Sequence, residues 1–98
     1  MRIFKEPVEF QWDIGNAGKN VKKHKVQDRE AEEPFFDKKH KTFEDILHSR
    51  GEERYRIVGK TKKGRLLFVV FTVRDKKVRI ITARDMNKKE VYLYEEKA

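Results

Sequence analysis

Residues 65–73, Arg65-Leu66-Leu67-Phe68-Val69-Val70-Phe71-Thr72-Val73, decide the fold. After its opening arginine the run is β-branched, aromatic and almost wholly apolar. Such a run reads as a strand buried on both faces, and therefore as the centre of a sheet. Arg54-Tyr55-Arg56-Ile57-Val58-Gly59-Lys60 precedes it across the loop Thr61-Lys62-Lys63-Gly64, whose glycine suits left-handed backbone. Val78-Arg79-Ile80-Ile81-Thr82-Ala83-Arg84 follows across Arg74-Asp75-Lys76-Lys77. Loops this short join antiparallel neighbours, so the three strands form a meander.

Further out, Val8, Phe10 and Trp12 alternate with polar residues and predict a short strand. Asp13 then offers a cap. Ile14, Ala17, Val21 and His24 recur at helical spacing over about residues 14–25, with Gly15 and Gly18 as weak points. Asp28 can cap a second short helix carrying Ala31, which Pro34 must end or kink. Phe35 and Phe36 are expected core anchors. Residues 38–44 are read as a strand, then a polar loop runs through His48, Ser49 and Gly51. Thr42 with Asp45, and Phe43 with Ile46 and Leu47, leave a helix open there. Asn87 and Glu90 form a capping box for a C-terminal helix with Val91 and Tyr94 on its inner side. The expected fold class is α+β: an antiparallel sheet of about four to five strands packed with two N-terminal helices and a C-terminal helix, in one domain spanning residues 1–98.

A chain of 98 residues buries only about two-thirds of its unfolded surface, which excludes a large multi-domain enzyme. No run approaches the roughly 20 apolar residues of a membrane helix. MRIFKEPVEF contains no apolar signal segment, so a cytoplasmic location is expected. The absence of cysteine excludes a disulfide scaffold, a thiol nucleophile and a Cys-ligated zinc site.

The net charge of +8 is unevenly spread. Residues 19–29 carry +4, residues 30–53 carry −4, and residues 54–84 carry +10. A segment so basic calls for an anionic partner, and phosphate is the natural one, because neutralising it releases counterions. The plain alternative is a lysine-rich solvated surface.

The ordered motifs Phe10-Gln11-Trp12-Asp13, Asn20-x-x-Lys23-His24-x-Val26, Gly51-Glu52-Glu53-Arg54, Gly59, Gly64-Arg65-Leu66-Leu67, Arg79-Ile80-Ile81-Thr82-Ala83-Arg84 and Glu90-x-x-x-Tyr94 resemble the BrnT family. The likeness runs from about Phe10 to Glu95. Two positions depart from it. Lys25 follows His24 where the family usually shows glycine, which argues against a glycine-specific turn there. Pro34 also interrupts a stretch that the family tends to keep helical. The resemblance implies a RelE-like ribonuclease fold and an endoribonuclease toxin that inhibits translation and growth. It also implies a BrnA-like antitoxin partner, assembly into an oligomer with it, and contact with operator DNA only through that complex.

RNA carries its own nucleophile, the 2′-hydroxyl. Cleavage then needs cations around the phosphorane, a base and an acid, and no metal. No cofactor is expected. His24, His40 and His48 lack metal-ligand spacing, and Gly59 with Gly64 is no phosphate-binding glycine loop. Alternation places Arg54 and Arg56 on one face, and an antiparallel meander gathers Lys60, Arg65 and Arg84 at one end of the sheet. The candidate catalytic residues are therefore His24, Arg65, Arg79 and Arg84, with imidazole as the proton shuttle and arginine forks on the phosphate. Lys23, Arg54, Lys60, Lys62 and Lys63 are candidate RNA contacts. Glu53, Glu90 and Tyr94 are candidates for an orienting partner or a base. A basic nucleic-acid-binding module without catalysis, or a basic face that only docks an acidic protein, would share the charge pattern.

Overall fold

The meander extends to four strands, β1 (Lys41–Glu44), β2 (Tyr55–Lys60), β3 (Leu66–Arg74) and β4 (Lys77–Asp85), all antiparallel in the order β1-β2-β3-β4. These coordinates are a computed structural model, in which residues 8–45 and 51–96 are described. The expected loop over His48 and Ser49, and the alternative helix through Ile46 and Leu47, lie outside those residues. Among the described residues three helices complete the α+β fold: α1 (Lys19–His24), α2 (Asp28–Glu32) and α3 (Lys88–Glu95), with a 3-10 helix at Glu33–Phe36. Among the described residues no helix is long and apolar enough to cross a membrane.

The core lies on one face of the sheet. Ile57, Leu67, Val69, Phe71, Val78, Ile80 and Ala83 meet Val26, Ala31 and Phe35 there, all buried. Phe35 stands edge-on to Phe71 at 4.9 Å between ring centroids. Gly59 lets the 3-10 helix press onto β2: a Cβ at that position would sit 2.8 Å from the Cβ of Pro34. The β3–β4 turn holds Asp75 and Lys76 at φ 50° and 65°, the mirror-image turn geometry that matches strand twist.

Several expectations are corrected. β3 is not buried throughout on both faces: opposite the core Thr72 is buried, but Leu66, Phe68 and Val70 are half-buried, because α3 covers only part of that face. The N-terminal strand reduces to one parallel bridge, Phe10 to Val78. The helix expected over residues 14–25 starts at Lys19, since Gly18 turns left-handed at φ 72°. Its apolar stripe faces outward, with Ile14 98% and Val21 44% exposed. Asn16 and Asn20 are buried instead, for a reason that lies in β4. Edge strands leave backbone groups unpaired. The Asn16 amide donates to the Ile80 carbonyl at 3.0 Å, and Asn20 Oδ1 accepts the Ala83 N–H at 3.0 Å.

Asp28 begins α2 rather than capping it. Gln27 is the cap, and Asp28 accepts the Gly18 N–H instead. Phe36 is 55% exposed rather than a core anchor, because the 3-10 helix turns Pro34 and Phe35 inward. Lys25, where the resemblance argued against a glycine-type turn, adopts that turn, at φ 57° and ψ 35°.

Candidate nucleic-acid interface

The geometry of the basic face starts from an irregularity in β4. Val70 pairs with Thr82 and Phe71 with Ile80, so Ile81 is an unpaired extra residue, a β-bulge. A one-residue bulge shifts the alternation of side chains. Arg79 pairs with Thr72 and Arg84 with Phe68, and Phe68, Val70 and Thr72 share a face of β3. Arg79 and Arg84 therefore stand on one face, opposite the core.

That face is built in rows. One row runs Lys41, Val58, Phe68, Arg84, and the next runs Phe43, Arg56, Val70, Thr82. Arg54 continues the alternation of β2 beside Thr72 and Arg79. α3 is tied to the first row. Lys41 Nζ donates to the carbonyls of Leu93 and Glu96 at 2.7 and 2.6 Å. Arg84 grips Glu90 through two bonds of 2.8 Å, and its guanidinium lies 4.2 Å from the centre of the Phe68 ring. Burial by itself would raise the Glu90 carboxyl, but the Arg84 bond and the Asn87 N–H outweigh it and hold it below the usual range.

Beyond the rows, Lys19, Glu52, Arg54, Thr72, Arg74 and Arg79 line a cleft of about 220 Å³. Two carboxylates hold its arginines in place. Asp13 accepts both Arg79 nitrogens at 2.7 and 3.0 Å, and that pairing lowers its own pKa. Glu52 accepts from Arg74 at two atoms, which lowers Glu52 and raises Arg74. Four cations around two carboxylates leave a net positive concavity of the kind that focuses anions.

The expected convergence of Lys60, Arg65 and Arg84 is corrected in one respect. They sit at the same end of the sheet but on its two sides. Arg65 belongs to the helix side, where it donates to the carbonyls of Lys25 at 2.9 Å and His24 at 3.2 Å. It also forks onto Asp85 at 2.7 and 3.2 Å and reaches Glu30 at 3.4 Å. It thus closes the C-terminus of α1. The Arg65 bond depresses Asp85, and the pair raises Arg65 in turn.

His24 is half-buried on α1 beside this clasp, and Lys23 is exposed. Lys60, Lys62 and Lys63 are exposed. The backbone N–H groups of Lys60 and Lys62 donate to Asp37 and Glu33, so that loop carries its own acidic neighbours. Glu53 accepts the Tyr55 hydroxyl, whose pKa is pushed up to about 12 chiefly by that bond. Tyr94 is buried and donates to Asp37; burial first, then that bond, pushes it to about 12. Of the sequence candidates, Arg54, Lys60, Arg79, Arg84 and Glu90 lie on the side of the sheet opposite the core. Sequence reasoning missed Lys19, Arg74 and the positioning residues Asp13, Asn16 and Asn20. Asn20 stands in the motif Asn20-x-x-Lys23-His24-x-Val26, and the spacing of Asn16 from it, one helical turn, was a further local signal.

This is a layered α+β protein that displays arginines, held by carboxylates, on one face of its sheet. Residues 12–90 match the family described as ribonuclease toxin, BrnT, of type II toxin–antitoxin system. The chain belongs to the BrnT family, and so to ribonuclease toxins that work with an antitoxin partner. Comparison with curated proteins gave no match.

Proposed function

We propose that this chain is a metal-independent endoribonuclease of RelE-like fold, acting in the cytoplasm, with the basic face as its active surface. The 2′-hydroxyl of the substrate attacks the adjacent phosphorus and gives its proton to solvent; the bond from phosphorus to the 5′-oxygen breaks and that oxygen takes a proton from solvent, leaving a 2′,3′-cyclic phosphate and a 5′-hydroxyl. Arg79 and Arg84 stabilise the phosphorane, and Arg54 with Lys19 holds flanking phosphates. Asp13 and Glu90 fix the two forks, so little reorganisation is needed as charge develops. Each fork retains N–H donors beyond its carboxylate bonds. Cutting RNA inhibits translation and growth, and a BrnA-like antitoxin neutralises the activity in an oligomer that reaches operator DNA through the antitoxin. His24 and Arg65 sit on the helix side, where Arg65 holds the end of α1.

The observation that carries this reading is the bulge at Ile81, which brings Arg79 onto the face of Arg84 and Arg54. The test is expression in a bacterial host. Wild type should arrest growth with loss of intact RNA, and Arg79→Gln, at equal folded yield, should not. Arrest by Arg79→Gln equal to wild type would contradict it.

A further inference from the structure

Among the arginines of the basic face, Arg56 is held differently. Arg79, Arg84 and Arg74 each fork onto a carboxylate. Arg56 makes one long bond, Nη2 to the Glu44 carbonyl at 3.4 Å. Its Nε is buried and finds no hydrogen-bond partner among the described residues. A buried N–H without a partner is costly, and such groups call for an explanation. Arg56 hydrogen-bonds no carboxylate among the described residues, although it lies close enough to Glu90 to help lower that carboxyl's pKa.

Its place in the sheet is central. The Arg56 row lies between the row of Arg84 and the row of Arg54 and Arg79. Rows two residues apart along a strand are separated by about 7 Å. Arg56 on β2 also stands two strand spacings, each about 4.8 Å, from Arg79 and Arg84 on β4, so a single strand that crosses the face obliquely meets all three rows. Phe43, directly opposite Arg56 on β1, is half-buried and offers an aromatic surface at the same level.

We infer that Arg56 is a phosphate-binding residue for single-stranded RNA, gripping the phosphate between those held at Arg79 and at Arg84. This rests on the proposed ribonuclease reading and adds to it the path of the strand, which crosses the face between β4 and β2 through all three rows. The paired arginines set geometry, and Arg56 supplies N–H donors that no carboxylate occupies.

The test measures binding of a labelled 2′-O-methyl oligoribonucleotide, which cannot be cleaved, across a salt series. Each neutralised phosphate contributes about 0.7 to the slope of log affinity against log salt for a single strand. Arg56→Gln should bind about tenfold more weakly and flatten the slope by about one phosphate's worth. Arg56→Lys, which keeps the charge, should keep the slope, and it stands in should the glutamine variant not fold. Lys38→Gln removes one charge from the loop before β1 and should leave both quantities near wild type. Unchanged affinity and slope in Arg56→Gln would overturn the inference, as would loss of the slope in a folded Arg56→Lys. Cleavage of ordinary RNA by wild type is read separately. A wild type that neither binds nor cuts sinks the ribonuclease reading itself, whereas a wild type that cuts with Arg56→Gln binding normally sinks only this residue's role.

Discussion

Arg79 and Arg84 point from the same face of the sheet, although an unbroken strand would set them on opposite faces. The bulge at Ile81 makes the difference, and two asparagines flank it. Asn16 binds the carbonyl before the bulge, at Ile80, and Asn20 binds the N–H after it, at Ala83. The device joins sequence to site: a helical spacing of asparagines holds an irregular edge, and the edge aims the arginines.

Asn20→Ala strips the buried Ala83 N–H of its acceptor. Leaving such a donor unsatisfied costs about 1–3 kcal/mol. We expect a loss of that size in denaturant unfolding, together with faster hydrogen exchange at the Ala83 amide. Normal stability with normal protection of that amide would show that the clamp does not hold β4.

Lys25 sits in the left-handed region, which costs a side chain-bearing residue roughly 1–2 kcal/mol relative to glycine. Lys25→Gly relieves this but gains freedom in the unfolded chain. A net gain of about 1 kcal/mol is the expected result, since the Arg65 bond goes to the Lys25 carbonyl and survives the change. A loss of stability would mean that the lysine side chain contributes more than its backbone costs.

Gly59→Ala is the converse case. The new Cβ would approach the Pro34 Cβ at 2.8 Å and the Pro34 carbonyl oxygen at 2.9 Å, so backbone must move. Overpacking of this kind costs about 1–3 kcal/mol. Thermal unfolding should report a lower Tm, and an unchanged Tm would show that the 3-10 helix is not pressed onto β2.

The pH dependence follows from groups whose pKa values differ between folded and unfolded states. For Asp37, burial pulls upward, but the Tyr94 hydroxyl and the N–H groups of Lys39 and Lys60 win, so it lies below 3.8. Asp85 lies below 3.8 as well, and Glu90 below 4.5. Their stabilising contribution is complete above those ordinary values and disappears as pH falls through the lowered ones. Tyr55 and Tyr94 act at the other end: their contribution is complete below 10.0 and disappears as pH rises through about 12. A plot of Tm against pH should be level from about pH 5 to 9 and fall on both sides. Asp37→Asn should make the acid limb shallower; an unchanged acid limb would contradict the assignment.

The meander was legible because Arg65–Val73 is long, apolar and bounded by short turns, and local pattern and topology agreed there. The capping box of Asn87 and Glu90 was legible for the same reason. The apolar spacing of Ile14, Ala17 and Val21 misled, because β4 needs polar partners along its edge and Asn16 and Asn20 supply them. The basic character of residues 54–84 pointed to the phosphate-binding surface proposed above. Which arginines share it was hidden, because a bulge changes the parity of a strand without marking its sequence. Arg65 was placed with Arg84 for being near it along the sheet, yet the pleat puts the two on different sides.

The most direct test is the chemistry at the cut ends. Purified protein is incubated with RNA in excess chelator, and the products are identified by mass spectrometry. The account predicts a 2′,3′-cyclic phosphate facing a 5′-hydroxyl, with cleavage slowed about a hundredfold in folded Arg79→Gln and Arg84→Gln. Intact RNA with folded wild-type protein, or cuts that require a divalent metal and leave a 5′-phosphate, would contradict it.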